Sequence, residues 1–422
     1  MITIFFIIKD LTVHSAIKNV ASESLGLTKD WKVTNYGSEE NCLTIHVEHK
    51  HPKKICCPNC NKKARPYSYV KERRWRHTDV FSKRCFVICK RPRIKCEQCG
   101  VITLLAPYER KHSRFTKQYE AFALMLIREM PMSKAAEILR CNEKSVYSIL
   151  QHWVIKAEHK RTLENVKNLA IDETSVKKKH DYITIVVDSD KSAVIDVQPG
   201  KGKSAITNFK EKLEQRDGDS SNIETVSSDM SPSFMPAIEE NFPNAFNILD
   251  RFHIVQMLNK AVNDVRKIEQ REANYKKELF LFRKLLFKNK DNLTPEQNIT
   301  VNNLIKNYPK TGKAYNIKAS FLEIYKSDTV EEASEIFDSV ISWMRRCRLY
   351  AMKRLAKVFK RRKQNILAYI TFKKTNAVCE GINSGIQAAK RKAKGYQTLK
   401  NLVPIIYLIS GKLELDIESP LI

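Results

Sequence analysis

Residues 168–200, NLAIDETSVKKKHDYITIVVDSDKSAVIDVQPG, contain three apolar runs in quick succession: NLAID (168–172), DYITIVVDSD (181–190) and SAVIDVQPG (192–200). Each has an apolar centre of mostly Ile, Val and Ala bounded by charged or turn-forming residues, which predicts three consecutive strands joined by short connections. The first run ends on a carboxylate, Asp172, and a carboxylate that closes a buried strand is placed where chemistry can use it.

Working outward, Ser204 opens a helical period carrying Ile206, Phe209 and Leu213, and NIETVSSDM (222–230) reads as a fourth strand ending at Asp229. FMPAIEE (234–240) predicts a short helix, AFNILD (245–250) a fifth strand ending at Asp250, and FHIVQMLNKAVNDVRK (252–267) a long amphipathic helix. Three strands, helix, strand, helix, strand, helix is the ribonuclease H-like order, in which the first three strands form a meander and the last two run parallel beside the first. In that topology the first and fourth strands are neighbours, about 5 Å apart in the hydrogen-bonding direction, so Asp172 and Asp229 are expected to share a metal site. Asp250 is the main rival to Asp229, and Asp188 and Asp190 are expected in a solvent-facing turn. Glu380, in a helix-like segment far downstream, is expected to converge on the same site.

QPGKGKS (198–204) resembles a phosphate-binding loop, but Val197 stands where the leading glycine is required. It is read instead as a basic turn in which Lys201 and Lys203 reach DNA.

Upstream, CCPNC (56–60) and KCEQC (95–99) each carry two cysteines with two residues between them. The pairs Cys57/Cys60 and Cys96/Cys99 present four soft thiolates suited to one tetrahedral Zn²⁺, with RPYSYV (65–70) and RCFVICK (84–90) as strands of a zinc ribbon. Cys56 or His77 stands as an alternative ligand, His77 being otherwise a DNA contact or surface histidine, and Cys85 and Cys89 are expected as packing residues. The following stretch, 115–154, reads as three short helices. Pro131 and Ser133 mark one start and Asn142 caps the next. Ala136 and Leu139 facing Val146, Ile149 and Leu150 give helix-turn-helix spacing, with Lys144 and Ser145 of the third helix directed at a DNA groove.

The chain of 422 residues carries 75 Lys and Arg against 47 Asp and Glu, a net charge of +28 that favours a polyanionic partner. The charge falls in dense runs such as KVFKRRK (357–363) and AAKRKAK (388–394). Eleven cysteines form an odd, uneven set, which fits a reducing compartment better than a disulfide framework. The opening MITIFFII is too short to span a bilayer and lacks a cleavage region, so it is read as a strand or docked tail. A cytoplasmic, nucleoid-associated protein with no membrane partner is expected.

IDET around Asp172, SSDMSPSF around Asp229, FPNAFNILDRFHIVQ around Asp250 and NAVCEGINSGIQAAKRKAKGY around Glu380 together resemble bacterial insertion-sequence transposases of the Asp-Asp-Glu type, in the zinc-ribbon-bearing ISL-three group. The resemblance covers nearly the whole chain. It implies a multidomain α/β protein: an N-terminal region (1–50), a zinc ribbon (51–105), a helix-turn-helix (113–155), and a ribonuclease H-like core split into 166–270 and 369–412. A helical insertion (271–368), densest over Lys276–Lys360, separates the core's two parts. It implies that Asp172, Asp229 and Glu380 hold Mg²⁺ or Mn²⁺, hard cations matched to carboxylate oxygens. The implied reaction is metal-dependent cleavage at element ends followed by attack of the freed 3′-hydroxyl on target DNA. Duplex DNA at element ends and targets is the implied partner, with a homo-oligomer on DNA to hold two ends. Further DNA contacts are expected from Arg251, His253, Lys390, Arg391 and Lys394, while Gln387 stands where the group usually has a basic residue. A DNA-binding regulator without catalysis, and a nuclease that cuts without joining, remain alternatives.

Overall fold

The computed structural model describes residues 15–50, 55–176, 182–230, 234–273, 277–373, 376–396 and 398–417. The opening MITIFFII, the first residues of the expected ribbon and residues 231–233 of SSDMSPSF lie outside them.

Eight strands precede the first helical domain. β1 (Trp31–Ser38), β2 (Cys42–His49), β5 (Arg73–Val80) and β6 (Lys83–Cys89) form one sheet in the order β1-β2-β6-β5. β3 (Ile55–Cys56), β4 (Lys63–Tyr69), β7 (Pro92–Cys96) and β8 (Gly100–Thr103) form a second, in the order β3-β4-β7-β8. RCFVICK therefore does not build the ribbon sheet as expected. Its alternating buried residues, Cys85, Val87 and Cys89, pack with Trp31, Val33, Ile45, Val47 and Trp75 in the first sheet's core. The β5–β6 hairpin is thus an excursion out of the ribbon, and the ribbon's two cysteine pairs lie on either side of it.

Three helices follow: α1 (Lys117–Glu129), α2 (Met132–Ile138) and α3 (Glu143–Lys160). Thr116 caps α1 by accepting from Tyr119 N–H, and Asn142 caps α3 by accepting from Ser145 N–H at 2.8 Å.

The central sheet has the order β11-β10-β9-β12-β13, with β9 (Asn168–Ser175), β10 (Tyr182–Asp188) and β11 (Ala193–Pro199) antiparallel. β12 (Thr225–Ser228) runs parallel to β9, and β13 (Phe246–Leu249) parallel to β12. This is the strand order expected from the sequence. Residues 168–200 lack the one-sided polarity of an exposed sheet because both faces are covered. Alternate residues separate the two cores: Leu169, Ile171, Val186 and Ile195 pack on one face against α4 (Lys203–Glu214) and α5 (Phe234–Asn241). Ala170, Ile183, Ile185, Val187 and Val194 pack on the other face against α1 to α3, α13 (Ala377–Lys392) and α14 (Leu399–Ser410). The helix-turn-helix helices therefore share a core with the central sheet. Buried ion pairs reinforce that junction: Glu158 at the end of α3 meets Lys212 at 2.8 Å and Arg216 at 2.9 Å, and Lys212 also meets Asp196 of β11 at 2.6 Å.

α6 (Arg251–Glu272) leads into a helical body of α7 (Lys277–Leu281), α8 (Pro295–Asn307), α9 (Pro309–Leu322), α10 (Val330–Arg346), α11 (Tyr350–Arg361) and α12 (Lys363–Phe372). Its core joins Ile254, Leu258 and Val262 of α6 to Phe321, Phe337, Met352 and Phe359. Among the described residues no helix is long and apolar enough to cross a membrane.

Candidate functional site

Register brings the three aspartates to one level across three adjacent strands of the central sheet. Ile171 of β9 pairs with Ser228 of β12, and Ser228 pairs with Leu249 of β13. The residues that follow are Asp172, Asp229 and Asp250, at the same level on adjacent parallel strands about 4.8 Å apart. Asp229 and Asp250 come just past the ends of β12 and β13, whereas Asp172 does not end its strand as expected but lies within β9, paired with Ile185 of β10. Their proximity shows in their acidity. Burial pushes the Asp172 carboxyl up to about 6, and the negative charges of Asp229 and Asp250 add to the rise, while the Glu173 N–H and His253 oppose it. Burial also raises Glu173 and Asp250, with Asp229 adding to both.

Asp250 has structural duties that Asp172 lacks. It is the N-cap of α6, accepting from Phe252 N–H at 3.2 Å, and lies 3.8 Å from His253 Nε2. Only 4 % of its surface is exposed, and among the described residues no hydrogen bond reaches its buried Oδ2.

Glu380 lies in the first turn of α13 and is exposed. α13 is docked along β9 by a row of polar side chains at helical spacing. Asn383 Nδ2 donates to Asp172 Oδ2 at 2.7 Å, Gln387 Nε2 donates to Thr174 Oγ1 at 2.9 Å, and Lys390 donates to the Ser175 carbonyl. Glu380 is one turn before Asn383 in this row. Cys379 beside it is buried, and its thiol is pushed well up by burial and by Asp172, Asp250 and Glu380. Asn383 and the docking role of Gln387 were missed in the sequence. The spacing 380, 383, 387, 390 was the available signal.

The carboxylates converge less tightly than the cysteines. Among the described residues, Cys57, Cys60, Cys96 and Cys99 are the one set of three or more ligand-type side chains whose donor atoms all lie within 4.8 Å of one another. Cys60 Sγ and Cys96 Sγ are 3.5 Å apart, close to the edge of a tetrahedron with metal–sulfur bonds of about 2.3 Å. This donor set fits zinc. Cys56 is exposed and outside the set, and His77 is buried in β5, its Nδ1 2.9 Å from Thr116 Oγ1. Neither replaces a thiolate, and His77 is not a surface residue. Burial, with Arg76 beside it, lowers the His77 pKa to about 4.

The expected DNA contacts divide. Lys144 is exposed at the start of α3, and Arg391 and Lys394 are exposed at the end of α13. Ser145 is not on the exposed face as expected: it is buried, with its hydroxyl donating to Asn142 Oδ1 and accepting from Arg114 Nη2, both at 2.7 Å. Lys390 is turned onto β9, and Lys203 pairs with Glu240 at 2.6 Å. Lys201 sits over the Tyr182 ring at 4.8 Å, in the β11–α4 turn where Gly200 and Gly202 take positive φ. Arg251 lies over the Tyr325 ring at 4.9 Å, and His253 faces Asp250. Asp188 is not solvent-facing either. It is buried, accepting from Asp190 N–H and Lys191 N–H.

A family model described as a transposase, of the ISL3 type, matches residues 169–406, from the start of β9 through most of α14. The chain belongs to the ISL3 family of insertion-sequence transposases. The helix-turn-helix domain of the same family matches residues 110–154, and the zinc finger of transposases IS204, IS1001, IS1096 and IS1165 matches residues 53–99. The chain is 26 % identical over 379 residues to the transposase for insertion sequence element IS1557 of Mycobacterium tuberculosis, covering 83 % of this chain and 85 % of that one. It is 23 % identical over 351 residues to the transposase for IS1001 of Bordetella parapertussis, covering 82 % and 86 %. Zinc ribbon, helix-turn-helix and transposase regions thus occur in the order read from the sequence.

Proposed function

We infer that this transposase cleaves and joins DNA by magnesium-dependent phosphoryl transfer on a ribonuclease H-like core, with Asp172, Asp229 and Glu380 as the metal-holding carboxylates. The observation that carries the reading is the level placement of Asp172, within β9, and Asp229, just past the end of the paired strand β12, with the Glu380 helix bonded directly to Asp172. The donor chemistry fits a hard divalent cation, because the oxygens are carboxylates, and burial, with the negative charges of Asp229 and Asp250 beside it, raises Asp172 in a way that a cation would relieve. Bound there, magnesium would activate the attacking oxygen and stabilise the leaving 3′-oxygen. The chain's own side chains prepare the place. Asn383 fixes one Asp172 oxygen, and the Glu173 N–H holds the other at 2.8 Å. Asp250, committed to the α6 cap and to His253, acts as a positioning residue beneath the pair.

Zinc held by Cys57, Cys60, Cys96 and Cys99 is structural: four thiolates close the coordination sphere and leave no position for substrate. Lys144, Lys201, Arg391 and Lys394 are the exposed cations of the expected set that remain for phosphate contact, and a dimer or larger assembly on DNA brings two element ends together.

The test is an assay of cleavage and joining on duplexes carrying the element's ends, with and without magnesium. Cleavage with joining supports the reading, cleavage alone points to a nuclease, and binding without either points to a regulator.

A further inference from the structure

The helical body between α6 and α13 carries a cationic ridge that neither the site above nor the helix-turn-helix uses. α11 is sharply two-sided. Met352, Leu355, Ala356 and Phe359 are buried in the helical core, whereas Lys353, Arg354, Lys357, Lys360 and Arg361 are all exposed, and the helix has no acidic residue. Positions 353, 354, 357, 360 and 361 recur at helical spacing, so the five cations line one face over about 12 Å. Arg345, Arg346 and Arg348, also exposed, extend the charge back through the α10–α11 turn.

A row of lysines on a helix is ordinarily a solvated face with acidic partners nearby, and that is what the adjoining cations show. Arg362 pairs with Glu239 at 3.2 Å, Lys363 with Asp338 at 2.6 Å, and Lys326 with Asp291 and Glu323 at 2.6 and 3.0 Å. Among the described residues, no ion pair or side-chain hydrogen bond involves any of the eight ridge cations. Eight like charges held together without counter-charges repel one another, so the ridge stores an electrostatic cost that an anionic partner relieves.

The ridge also has a concave end. Lys310, Lys313, Arg346 and Arg348 border a hollow of about 370 Å³ at the start of α9. Arg348 takes a left-handed backbone at φ 60, a conformation that favours glycine or asparagine. An arginine kept there holds a cation at the hollow's rim at some backbone cost.

We propose that the α10–α11 ridge, from Arg345 to Arg361, is a docking surface for the sugar–phosphate backbone of duplex DNA, binding without regard to base sequence. Lysine and arginine on one convex helical face, with no Asn or Gln projecting among them, match phosphates and offer no base-edge pattern. The surface is separate from the helix-turn-helix, so a transposase that also engages DNA of arbitrary sequence has a place to hold it. The proposal rests on the reading that the chain acts on DNA.

The test compares the full-length wild type with two triple variants of equal charge change. Lys353→Gln/Lys357→Gln/Lys360→Gln removes unpaired ridge cations. Lys167→Gln/Lys210→Gln/Lys326→Gln removes lysines that already face carboxylates, Glu224, Glu214 and Asp291. Binding of a fluorescent duplex of arbitrary sequence is followed across a salt series. The ridge variant is expected to bind about tenfold or more weakly and to flatten the log K against log salt slope by about two to three, since each lost phosphate contact removes about 0.9. The paired-lysine variant keeps a slope close to wild type. Lys→Arg at the three ridge positions restores the slope, which separates lost charge from a disturbed fold. Equal flattening in both triple variants, or none in the ridge variant, overturns the ridge alone. A wild type that binds no duplex overturns the DNA reading as well.

Discussion

The side-chain amide of Asn383 donates to Oδ2 of Asp172 at 2.7 Å, tying the helix that carries Glu380 to the strand that carries Asp172. Two segments more than two hundred residues apart are thereby held in one geometry, and the bond orients the Asp172 carboxylate.

Asn383→Ala is accordingly expected to lower DNA joining by about 10- to 100-fold, the usual cost of losing a group that orients a metal ligand. The magnesium concentration for half-maximal activity rises, whereas duplex affinity measured without magnesium does not change. Equal losses in both readouts would mean that Asn383 serves folding rather than the site.

The four-cysteine set predicts one zinc per chain. Cys57→Ser, or chelation, removes the metal and loosens residues 55–104, read as zinc content and as protease sensitivity of that region. Cys85→Ser keeps its zinc, since Cys85 packs in the other sheet.

Glu120 is wholly buried in α1, where Arg110 grips it at 2.8 Å, Ser113 donates at 2.6 Å and Trp153 Nε1 at 2.7 Å. Glu120→Ala leaves Arg110 without its partner and is expected to cost about 3–5 kcal/mol in a denaturant titration. Glu120→Gln, which keeps the shape and part of the bonding, costs less.

His77 sets a pH dependence whose sign is fixed by burial. Its pKa falls to about 4 in the folded chain against an ordinary value of 6.5, so below pH 6.5 the unfolded state takes up a proton that the folded state refuses. Its contribution is present above pH 6.5 and is lost as the pH falls to about 4, up to about 3 kcal/mol in all. His77→Gln should flatten the urea midpoint across that window, and an unchanged profile would contradict the assignment.

The sequence showed the central sheet because residues 168–250 are built from local signals: apolar runs of strand length, turn residues between them, and a carboxylate closing three of the runs. Asn142 as a helix cap and the paired cysteines were legible for the same reason, since spacing alone carries them. What could not be read was set by contacts between distant segments. Val87 and the other apolar residues of β6 look alike in either N-terminal sheet, and only pairing with β2 and β5 decides which one takes them. His77 and Ser145 are polar residues whose partners, Thr116 and Arg114, come from outside their own elements. Asn383 is an unremarkable helical asparagine until α13 lies against β9.

Magnesium-dependent joining of element-end DNA, measured with Asp172→Asn, Asp229→Asn, Glu380→Gln and Asp250→Asn and with each variant checked for zinc content and duplex binding, decides which carboxylates hold the metal. Asparagine at 250 keeps a capping oxygen for α6. The account predicts that joining is abolished in the first three variants with binding intact, and retained, if reduced, in Asp250→Asn. Retained joining in Asp229→Asn together with its loss in Asp250→Asn would contradict the assignment and move the second metal-holding carboxylate to Asp250.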